Sequence, residues 1–271
     1  MNSDQVRRAL AGIGLVPNRL LGQNFLVNES VAARIASACP SGSILEIGPG
    51  LGALTGFLLS ADRTVTAVEV SHLMADRLES VFAGHALEVV RGDFLAIDPS
   101  RLPGHPFAAL AANLPYGIST PALFRLTEPA FETVKTAVVM LQAELADRVT
   151  ASPGGKEYGR LALGLWPRFT ARHLLDAGPE DFYPRPSISS KVLVLERRPV
   201  PLVPAELAGA YRRIVAICFS RRRKTILNNL ASALGRDRAA TVLSLAGIDS
   251  GMRAEQLPPE CFMRIAEIEG C

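Results

Sequence analysis

The residues best suited to chemistry are four consecutive ones, Asn113-Leu114-Pro115-Tyr116. The exocyclic amine of adenine is a poor nucleophile because its lone pair is delocalised into the ring. The Asn113 side-chain oxygen and a backbone carbonyl at Leu114 or Pro115 could accept both amine hydrogens and direct the lone pair at a methyl donor. Tyr116 could stack on the base and stabilise the developing cation. A structural proline turn with a buried tyrosine is the alternative that the four residues alone leave open.

A glycine-rich string, EIGPGLGA at 46–53, follows the first apolar run of this region. Glycines in such a turn let a ligand approach the backbone, and the string fits a dinucleotide site, an S-adenosyl-L-methionine site or a structural turn. Pro49 removes one backbone N–H, which weakens a cradle for pyrophosphate. Glu46 supplies a carboxylate suited to a ligand that carries an ammonium and a sulfonium. These details, with Gly48 and Gly50 at the turn, favour S-adenosyl-L-methionine as the cofactor.

Two further carboxylates stand at the ends of predicted strands. Glu69 follows Gly48 by 21 residues, a spacing at which an acid can bind both ribose hydroxyls. Asp93 comes after the next strand and could accept a hydrogen bond from the adenine amine. Either acid alone could be a helix cap or a surface charge, but together at strand ends they favour a cofactor pocket.

Short apolar runs alternate with amphipathic ones from residue 44 to about 142. Runs typical of buried parallel strands occupy 44–47, 64–70, 87–90, 107–112 and 136–141, and runs typical of helices occupy 53–60, 73–82 and 120–126. The alternation predicts an α/β fold with a doubly wound, Rossmann-like methyltransferase sheet. Two later runs, 168–175 and 191–195, could add an antiparallel edge. Ligands bind at the carboxyl ends of such strands, where the candidate residues fall.

Three prolines in 197–204 predict a linker, because neither a helix nor a central strand tolerates them. Apolar residues at helical spacing follow it and predict a small C-terminal helical domain. The sequence therefore predicts a cofactor-binding catalytic domain at 1–198 and a helical RNA-binding domain at 199–271.

Positive charge is concentrated around this predicted boundary. Residues 182–238 contain 12 Lys and Arg but 3 Asp and Glu, which indicates a face for a polyanion, although a solvated helical surface could show the same excess. The densest group is Arg221, Arg222, Arg223 and Lys224. Four consecutive positions on a helix cover more than one face, so at least two of these side chains should point outward and bind RNA phosphates.

Composition excludes several classes of protein. Apolar residues make up 48% of the chain and charged residues 20%, as in ordinary folded proteins, and no apolar run approaches the ~20 residues of a membrane span. The four cysteines are far apart, which argues against a disulfide framework or a zinc site and fits a reducing cytosol: Cys39, Cys218, Cys261 and Cys271. We expect a cytoplasmic monomer that needs no membrane and no metal.

Six segments together resemble the KsgA-type family of small-subunit (16S) rRNA adenine N6,N6-dimethyltransferases. They are GQNFL at 22–26, EIGPGLGALT at 46–55, NLPY at 113–116, YGRL at 158–161, Phe182 with Pro184 and Pro186, and FSRRRKTILNNL at 219–230. The resemblance covers about residues 20–265. It implies dimethylation of two adjacent adenosines in the 3′-terminal hairpin loop of 16S rRNA, in the assembling small ribosomal subunit.

The resemblance also implies roles for individual residues. The residues implied to contact the cofactor are Asn24, Leu26, Gly48, Glu69, Asp93 and Asn113. Phe182 is implied to stack on the target base opposite Tyr116, after that base has left its own stack. One departure is Gly117, where the family usually has Asn, and a more flexible loop there would affect the second methyl transfer.

Four other functions share parts of this pattern. A large-subunit rRNA adenine methyltransferase has the same chemistry, but the segment 219–230 favours the small-subunit branch. A catalytically silent nucleic-acid-binding relative would not need Glu46, Glu69, Asp93 and the acceptor residues. An NAD-dependent oxidoreductase would need a catalytic His or Lys group that the sequence does not show. An enzyme that methylates DNA or protein glutamine would not explain the C-terminal resemblance.

Overall fold

The computed structural model describes residues 1–17, 23–59 and 62–270, and the chain divides into two compact units. The first unit comprises Met1–Ala146 and Thr170–Arg197, and the second comprises Asp147–Phe169 and Arg198–Cys271. The predicted boundary after residue 198 is one residue from the last boundary of these units. The prediction placed residues 147–169 in the first domain, whereas in the structure they belong to the second unit. This segment joins the second unit because Tyr158, Ala162 and Leu163 pack into that unit's core.

Seven strands in the described part of the first unit form one sheet. They are β2 (Gly42–Ile47), β3 (Arg63–Glu69), β4 (Leu87–Arg91), β5 (Ala109–Asn113), β6 (Thr136–Gln142), β7 (Phe169–Ala177) and β9 (Ser190–Arg197). Their order is β4-β3-β2-β5-β6-β9-β7. Strands β2 to β6 run parallel to one another, and β9 runs antiparallel to β6. The predicted doubly wound sheet and its antiparallel addition are confirmed.

Helices of the first unit cover this sheet. They are α1 (Ser3–Gly12), α2 (Glu29–Ser37), α3 (Thr55–Leu58), α4 (His72–Val81), α5 (Ser119–Arg125) and α6 (Ala143–Thr150), which continues into the second unit. Asn28 and Ser71 cap α2 and α4 with their side-chain oxygens, as short polar residues do at helix starts. The predicted helix at 53–60 is shorter in the structure, and its last residue, Ser60, lies outside the described residues.

The sheet changes winding direction between β2 and β5. The chain runs from β2 outward through β3 to β4, then returns to β5 on the other side of β2. Loops at the carboxyl ends of these two strands therefore diverge and leave a crevice, which is where open α/β sheets bind ligands. Both the glycine-rich string and Asn113 lie at this edge.

A small antiparallel pair lies beside this crevice: β1 (Phe25–Leu26) and β8 (Phe182–Tyr183). Helix α1 packs nearby, where Val6 and Leu10 contact a cluster that includes Leu51. Two-residue strands carry no periodic pattern, and the sequence predicted neither this pair nor α1.

The described part of the second unit is helical. Its helices are α7 (Arg160–Leu165), α8 (Ala208–Cys218), α9 (Ile226–Leu234), α10 (Arg236–Leu245) and α11 (Pro259–Gly270). Their apolar faces form one core, and the buried Tyr211 hydroxyl donates to the Leu163 carbonyl at 3.0 Å. Residues 198–207, which hold the predicted linker prolines, join β9 to α8 outside any helix or strand. Among the helices described, none has the length and apolar character needed to cross a membrane.

Candidate cofactor and acceptor site

A cavity of about 300 Å³ opens at the carboxyl ends of β2 and β5, within the size range of small-molecule sites. Its wall contains all eight predicted cofactor-binding residues: Asn24, Leu26, Glu46, Gly48, Gly50, Glu69, Asp93 and Asn113. Leu114, Pro115 and Tyr116 line the same cavity. The structure therefore brings the glycine-rich string, both strand-end acids and the acceptor residues together in one place. Gly22, the first residue of the GQNFL segment, lies outside the described residues.

The glycine-rich turn has a backbone that other residues rarely adopt. Gly48 and Gly50 have φ angles of +60° and +57°, in the left-handed region that favours glycine. A Cβ added to Gly50 would lie 3.3 Å from the Phe25 ring. A side chain at Gly50 would therefore crowd the Phe25 ring at the cavity wall.

Glu69 joins this turn to the start of α4. Its Oε2 accepts from the Gly50 N–H at 3.1 Å and its Oε1 accepts from the Ser71 N–H at 2.9 Å. The side chain is buried. A carboxylate has about four acceptor positions, so two hydrogen bonds from the backbone fix its orientation and leave capacity for ligand hydroxyls.

Glu46 is the most deeply buried acid of the cavity wall, with 1% of its surface exposed. Its Oε2 has no hydrogen-bond partner among the described residues. Burial raises the pKa of this carboxyl to about 8, against a lowering by the nearby Thr55 hydroxyl and with a further increase from Glu69. A buried carboxyl oxygen without a hydrogen-bond partner is costly, and a positively charged ligand group near it would relieve that cost.

Asp93 lies in the loop after β4 and is exposed at the cavity wall. Its Oδ1 accepts from the Leu95 N–H at 2.8 Å. This local bond fixes the carboxylate while Oδ2 stays able to accept from a ligand.

The amide of Asn113 is oriented by the backbone of the segment before β1. Its Nδ2 donates to the carbonyl oxygen of Asn24 at 3.2 Å. A carbonyl can only accept, so this bond identifies the nitrogen side of the amide and defines where the oxygen side lies.

The carbonyl of Pro115 is already engaged within the acceptor turn. It accepts from the Ile118 N–H at 3.1 Å and from the Ser119 hydroxyl at 3.0 Å. Of the two carbonyls that the sequence left open, Leu114 is therefore the better acceptor for a substrate amine. Tyr116 is partly exposed, with a buried hydroxyl that has no partner in the described part of the chain.

Phe182 does not occupy the predicted position. It is 2% exposed, belongs to the core beneath the sheet and faces Leu26 in the β1–β8 ladder. Alternate residues of a strand point to opposite faces, so burial of Phe182 turns its neighbour Tyr183 toward the α1 cluster, where the Arg7 guanidinium lies 5.2 Å from its ring centroid. In the structure the Phe182 ring is buried and does not line the cavity, and its stacking on the target base stays a prediction.

Gly117 follows the acceptor turn at an exposed position. A Cβ added there would meet no atom within 4 Å, and its φ is not positive. The family's usual asparagine would fit without strain, so the structure shows no steric reason for glycine.

The four predicted RNA-binding cations lie in a turn, which corrects the expectation of helical positions. Residues 219–225 connect α8 to α9, and Arg221, Arg222, Arg223 and Lys224 are all exposed. We call these four residues the basic turn. Helix α8 ends at Cys218, before the four cations. Helix α9 begins only after Thr225, whose side-chain oxygen accepts from the Asn228 N–H at 3.3 Å as an N-cap. All four charged side chains are exposed in this turn. On a helix, we expected at least two of them to face outward.

Asn229, which the sequence analysis did not identify, supports the backbone of the basic turn through hydrogen bonds. Asn229 is 1% exposed, and its Nδ2 donates to the carbonyls of Cys218 at 2.8 Å and Arg221 at 3.2 Å. Its Oδ1 accepts from the Ser220 hydroxyl at 3.3 Å. The signal was a polar residue on an apolar helix face, three residues after Ile226 and one before Leu230.

The described cysteines and acids form no metal site. Cys39, Cys218 and Cys261 are buried free thiols, and burial raises the pKa of each. In the ranges that the structure describes, no group of three or more His, Cys, Asp or Glu side chains could hold a metal ion. Cys271 lies outside those ranges.

Comparison with known proteins gives consistent matches along the chain. The sequence profile described as Ribosomal RNA adenine dimethylase matches residues 16–269. A protein named Ribosomal RNA small subunit methyltransferase A from Geobacter sulfurreducens is 38% identical over 95% of this chain and 97% of its own length. The protein of the same name from Moorella thermoacetica is 39% identical over 93% of this chain and 92% of its own length.

Two solved structures resemble the fold. The 23S rRNA methyltransferase ErmE matches with a TM-score of 0.69 and 33% identity, over 90% of this chain and 98% of its own. A dimethyladenosine transferase from Plasmodium falciparum matches with a TM-score of 0.73 and 24% identity, over 89% of this chain and 95% of its own. At that identity, the second match supports the fold alone.

Proposed function

The chain belongs to the ribosomal RNA adenine dimethylase family, and we propose on this premise how its pocket methylates adenosine in small-subunit (16S) rRNA. The enzyme is an S-adenosylmethionine-dependent rRNA adenine dimethyltransferase. The observation that carries our proposal is the hydrogen bond from Asn113 Nδ2 to the Asn24 carbonyl at 3.2 Å. It orients the amide so that Oδ1 can serve as an acceptor for a substrate amine.

The cavity fits S-adenosylmethionine. The unpartnered buried Oε2 of Glu46 suits the positive end of that molecule, and the left-handed glycines leave room beside it. Glu69, oriented by two backbone N–H groups, would accept from the ribose hydroxyls, and Asp93 would accept from the adenine amine. When bound, the cofactor supplies an electrophilic methyl group on a sulfonium.

The acceptor turn would prepare the substrate amine for transfer. Asn113 Oδ1 and the Leu114 carbonyl would each accept one amine hydrogen, and they would thereby favour a pyramidal nitrogen with a localised lone pair. The Pro115 carbonyl already accepts two hydrogen bonds, which favours the Leu114 carbonyl for this role. Catalysis then depends mainly on positioning and on preorganised dipoles.

Tyr116 would contact the target base and stabilise positive charge on its amine. Its ring is partly exposed at the cavity wall. No side chain is needed as a general base, because a protonated aromatic amine is acidic enough to lose its proton to water. We do not assign Phe182 to this step, given its burial.

The substrate would be two adjacent adenosines in the 3′-terminal hairpin loop, converted to N6,N6-dimethyladenosine during assembly of the small subunit. A base in a loop leaves its stack at low cost, and the exposed basic turn would bind RNA phosphates without reading sequence. Curated relatives at 38% and 39% identity are named for the small subunit, whereas ErmE, at 33%, is named for 23S rRNA. These names favour the small-subunit substrate.

Labelled S-adenosylmethionine would test the substrate. The protein is incubated with unmethylated small subunits, large subunits or free rRNA, and the label is mapped. We expect label on adjacent adenosines near the 3′ end of 16S rRNA, and label confined to the large subunit would contradict the proposal. We further propose that a cytoplasmic monomer acts, which a sedimentation measurement showing a stable dimer would refute.

A further inference from the structure

Arg125, the last residue of α5, contacts the loop that follows β4. Its Nη1 donates to the Phe94 carbonyl, and its Nη2 donates to the Ile97 carbonyl at 2.8 Å. The guanidinium carbon also lies 5.3 Å from the centroid of the Phe94 ring, and the side chain is 15% exposed. A planar guanidinium with several fixed donors suits this combination of hydrogen bonding and stacking.

The loop that Arg125 holds carries Asp93. The Asp93 carbonyl accepts from the N–H groups of Ala96 at 2.9 Å and Ile97 at 3.0 Å, which closes the loop into a turn. Phe94 is buried and lines the cavity beside Asp93, whereas Arg125 does not line it. Arg125 therefore fixes the backbone on the C-terminal side of Asp93 without contacting the cavity.

The other end of α5 begins at the acceptor turn. Ser119, the first residue of the helix, donates to the Pro115 carbonyl at 3.0 Å, and Ile118 lines the cavity. A helix of seven residues spans about 10 Å. One short helix thus connects the acceptor turn to the loop of Asp93.

We propose that Arg125 is a positioning residue for the adenine end of the cofactor, an inference that rests on the proposed function. It acts through the carbonyls of Phe94 and Ile97, which it holds so that the Asp93 carboxylate can accept from the adenine amine. Arg125 also forms an ion pair with Glu128 at 3.4 Å, but about half of the Glu128 side chain is exposed. This ion pair therefore contributes little to the stability of the protein.

Two cofactor analogues separate this role from general stability. S-Adenosylhomocysteine carries the adenine amine, whereas S-inosylhomocysteine has a carbonyl oxygen in its place and cannot donate there to Asp93. Calorimetry should show that the wild-type protein prefers the first ligand. In Arg125→Ala we expect the Kd of S-adenosylhomocysteine to rise about tenfold and that of S-inosylhomocysteine to change less than about twofold.

Arg197 offers a matched control in the same unit. Its guanidinium also caps carbonyls, those of Val134 at 2.8 Å, Leu126 at 2.6 Å and Phe131 at 2.9 Å, and none of these residues lines the cavity. Arg197→Ala should lower thermal stability yet keep the wild-type ligand preference. The Arg125 guanidinium also lies 5.5 Å from the centroid of the Phe131 ring. The size of the change therefore decides, and a ligand preference reduced in Arg197→Ala as much as in Arg125→Ala would overturn the proposal.

Arg125→Lys carries the test if Arg125→Ala does not fold, since lysine keeps the charge but not the fork of donors. We expect an intermediate ligand preference for it. Equal weakening of both ligands, or an unchanged preference in the Arg125 variants, would overturn the positioning role while leaving the proposed function intact. Failure of the wild-type protein to bind either ligand would instead contradict the proposed function.

Discussion

Two asparagines, Asn113 in the first unit and Asn229 in the second, donate through Nδ2 to backbone carbonyls. Asn113 has one such bond, to Asn24, and stays partly exposed at the cavity wall. Asn229 has two, to Cys218 and Arg221, and its oxygen is engaged by Ser220. The first side chain keeps an accessible acceptor for a substrate, whereas the second is buried with both its nitrogen and its oxygen engaged.

The difference extends to the charged groups around each asparagine. The acids Glu46 and Glu69 of the cavity are buried, whereas the four cations of the basic turn are exposed. Charges that orient a small ligand act more strongly when water is excluded. Charges that bind RNA phosphates work through counterion release and require access to solvent. In the proposed function, Asn113 takes part in the chemistry, whereas Asn229 supports an exposed surface.

Asn113→Ala is the variant with the largest expected effect on rate. It removes an acceptor that acts on the reacting amine, so kcat should fall by about 10³-fold, as when one group of an oxyanion hole is removed. Single-turnover methylation of 16S rRNA measures this loss. Thermal unfolding should change little, and a kcat within a few-fold of wild type would contradict the role of Asn113.

Asn229→Ala should instead reduce stability. It leaves the carbonyls of Cys218 and Arg221 without their buried donor, at a cost of about 1–3 kcal/mol in the free energy of unfolding. The adjacent, exposed Asn228 is the matched control, and Asn228→Ala should stay within about 0.5 kcal/mol of wild type. Denaturant titration compares the two variants, and kcat at saturating RNA should survive in both. Equal stabilities would show that the bonds of Asn229 are not what holds the basic turn.

Removing charge from the basic turn should lower the affinity for RNA and leave kcat and the free energy of unfolding unchanged. In Arg222→Ala/Arg223→Ala, RNA affinity should fall about tenfold for all sequences alike, because phosphate contacts carry no sequence information. The slope of log affinity against log salt should flatten by up to about one unit per lost contact. Filter binding at several salt concentrations measures both quantities. An unchanged slope would remove the turn from the RNA-binding surface.

Local sequence patterns predicted the sheet and the cavity because both depend on short-range signals. Buried strands appear as apolar runs, and the residues at their carboxyl ends must meet at one edge, so Glu46, Glu69, Asp93 and Asn113 could be placed together. The pairing of β1 with β8 could not be predicted, since it joins residues far apart in sequence through two-residue strands. That pairing is also what decides the burial of Phe182.

The second unit shows a different limit of sequence reasoning. Residues 147–169 join it through packing of Tyr158, Ala162 and Leu163, which no linear pattern reveals. The basic turn was assigned to a helix because apolar helical runs flank it. Thr225 was a recognisable N-cap signal for the start of α9.

The acceptor turn of the first unit shows a third limit. The choice between the Leu114 and Pro115 carbonyls depends on which of them already accepts hydrogen bonds, and only the structure shows that.

Glu46 tests whether burial of charge matters in the cavity. Burial raises its pKa to about 8, so without ligand the carboxyl is largely protonated at pH 7. A positively charged ligand favours the ionised form, so binding should release a proton. The affinity for S-adenosylmethionine should then rise with pH, by up to about tenfold per pH unit, and level off above pH 8.

Stability of the unliganded protein should show the opposite sign. Because the folded-state pKa of Glu46 lies above its ordinary value of 4.5, the folded state binds more protons than the unfolded state between pH 4.5 and 8. The contribution of Glu46 to the free energy of unfolding therefore falls as the pH rises through that window. Glu46→Gln should lack both of these pH dependences, and the difference between its pH profile and that of the wild type isolates the contribution of Glu46. Parallel pH profiles for wild type and Glu46→Gln would place the buried charge outside the binding reaction.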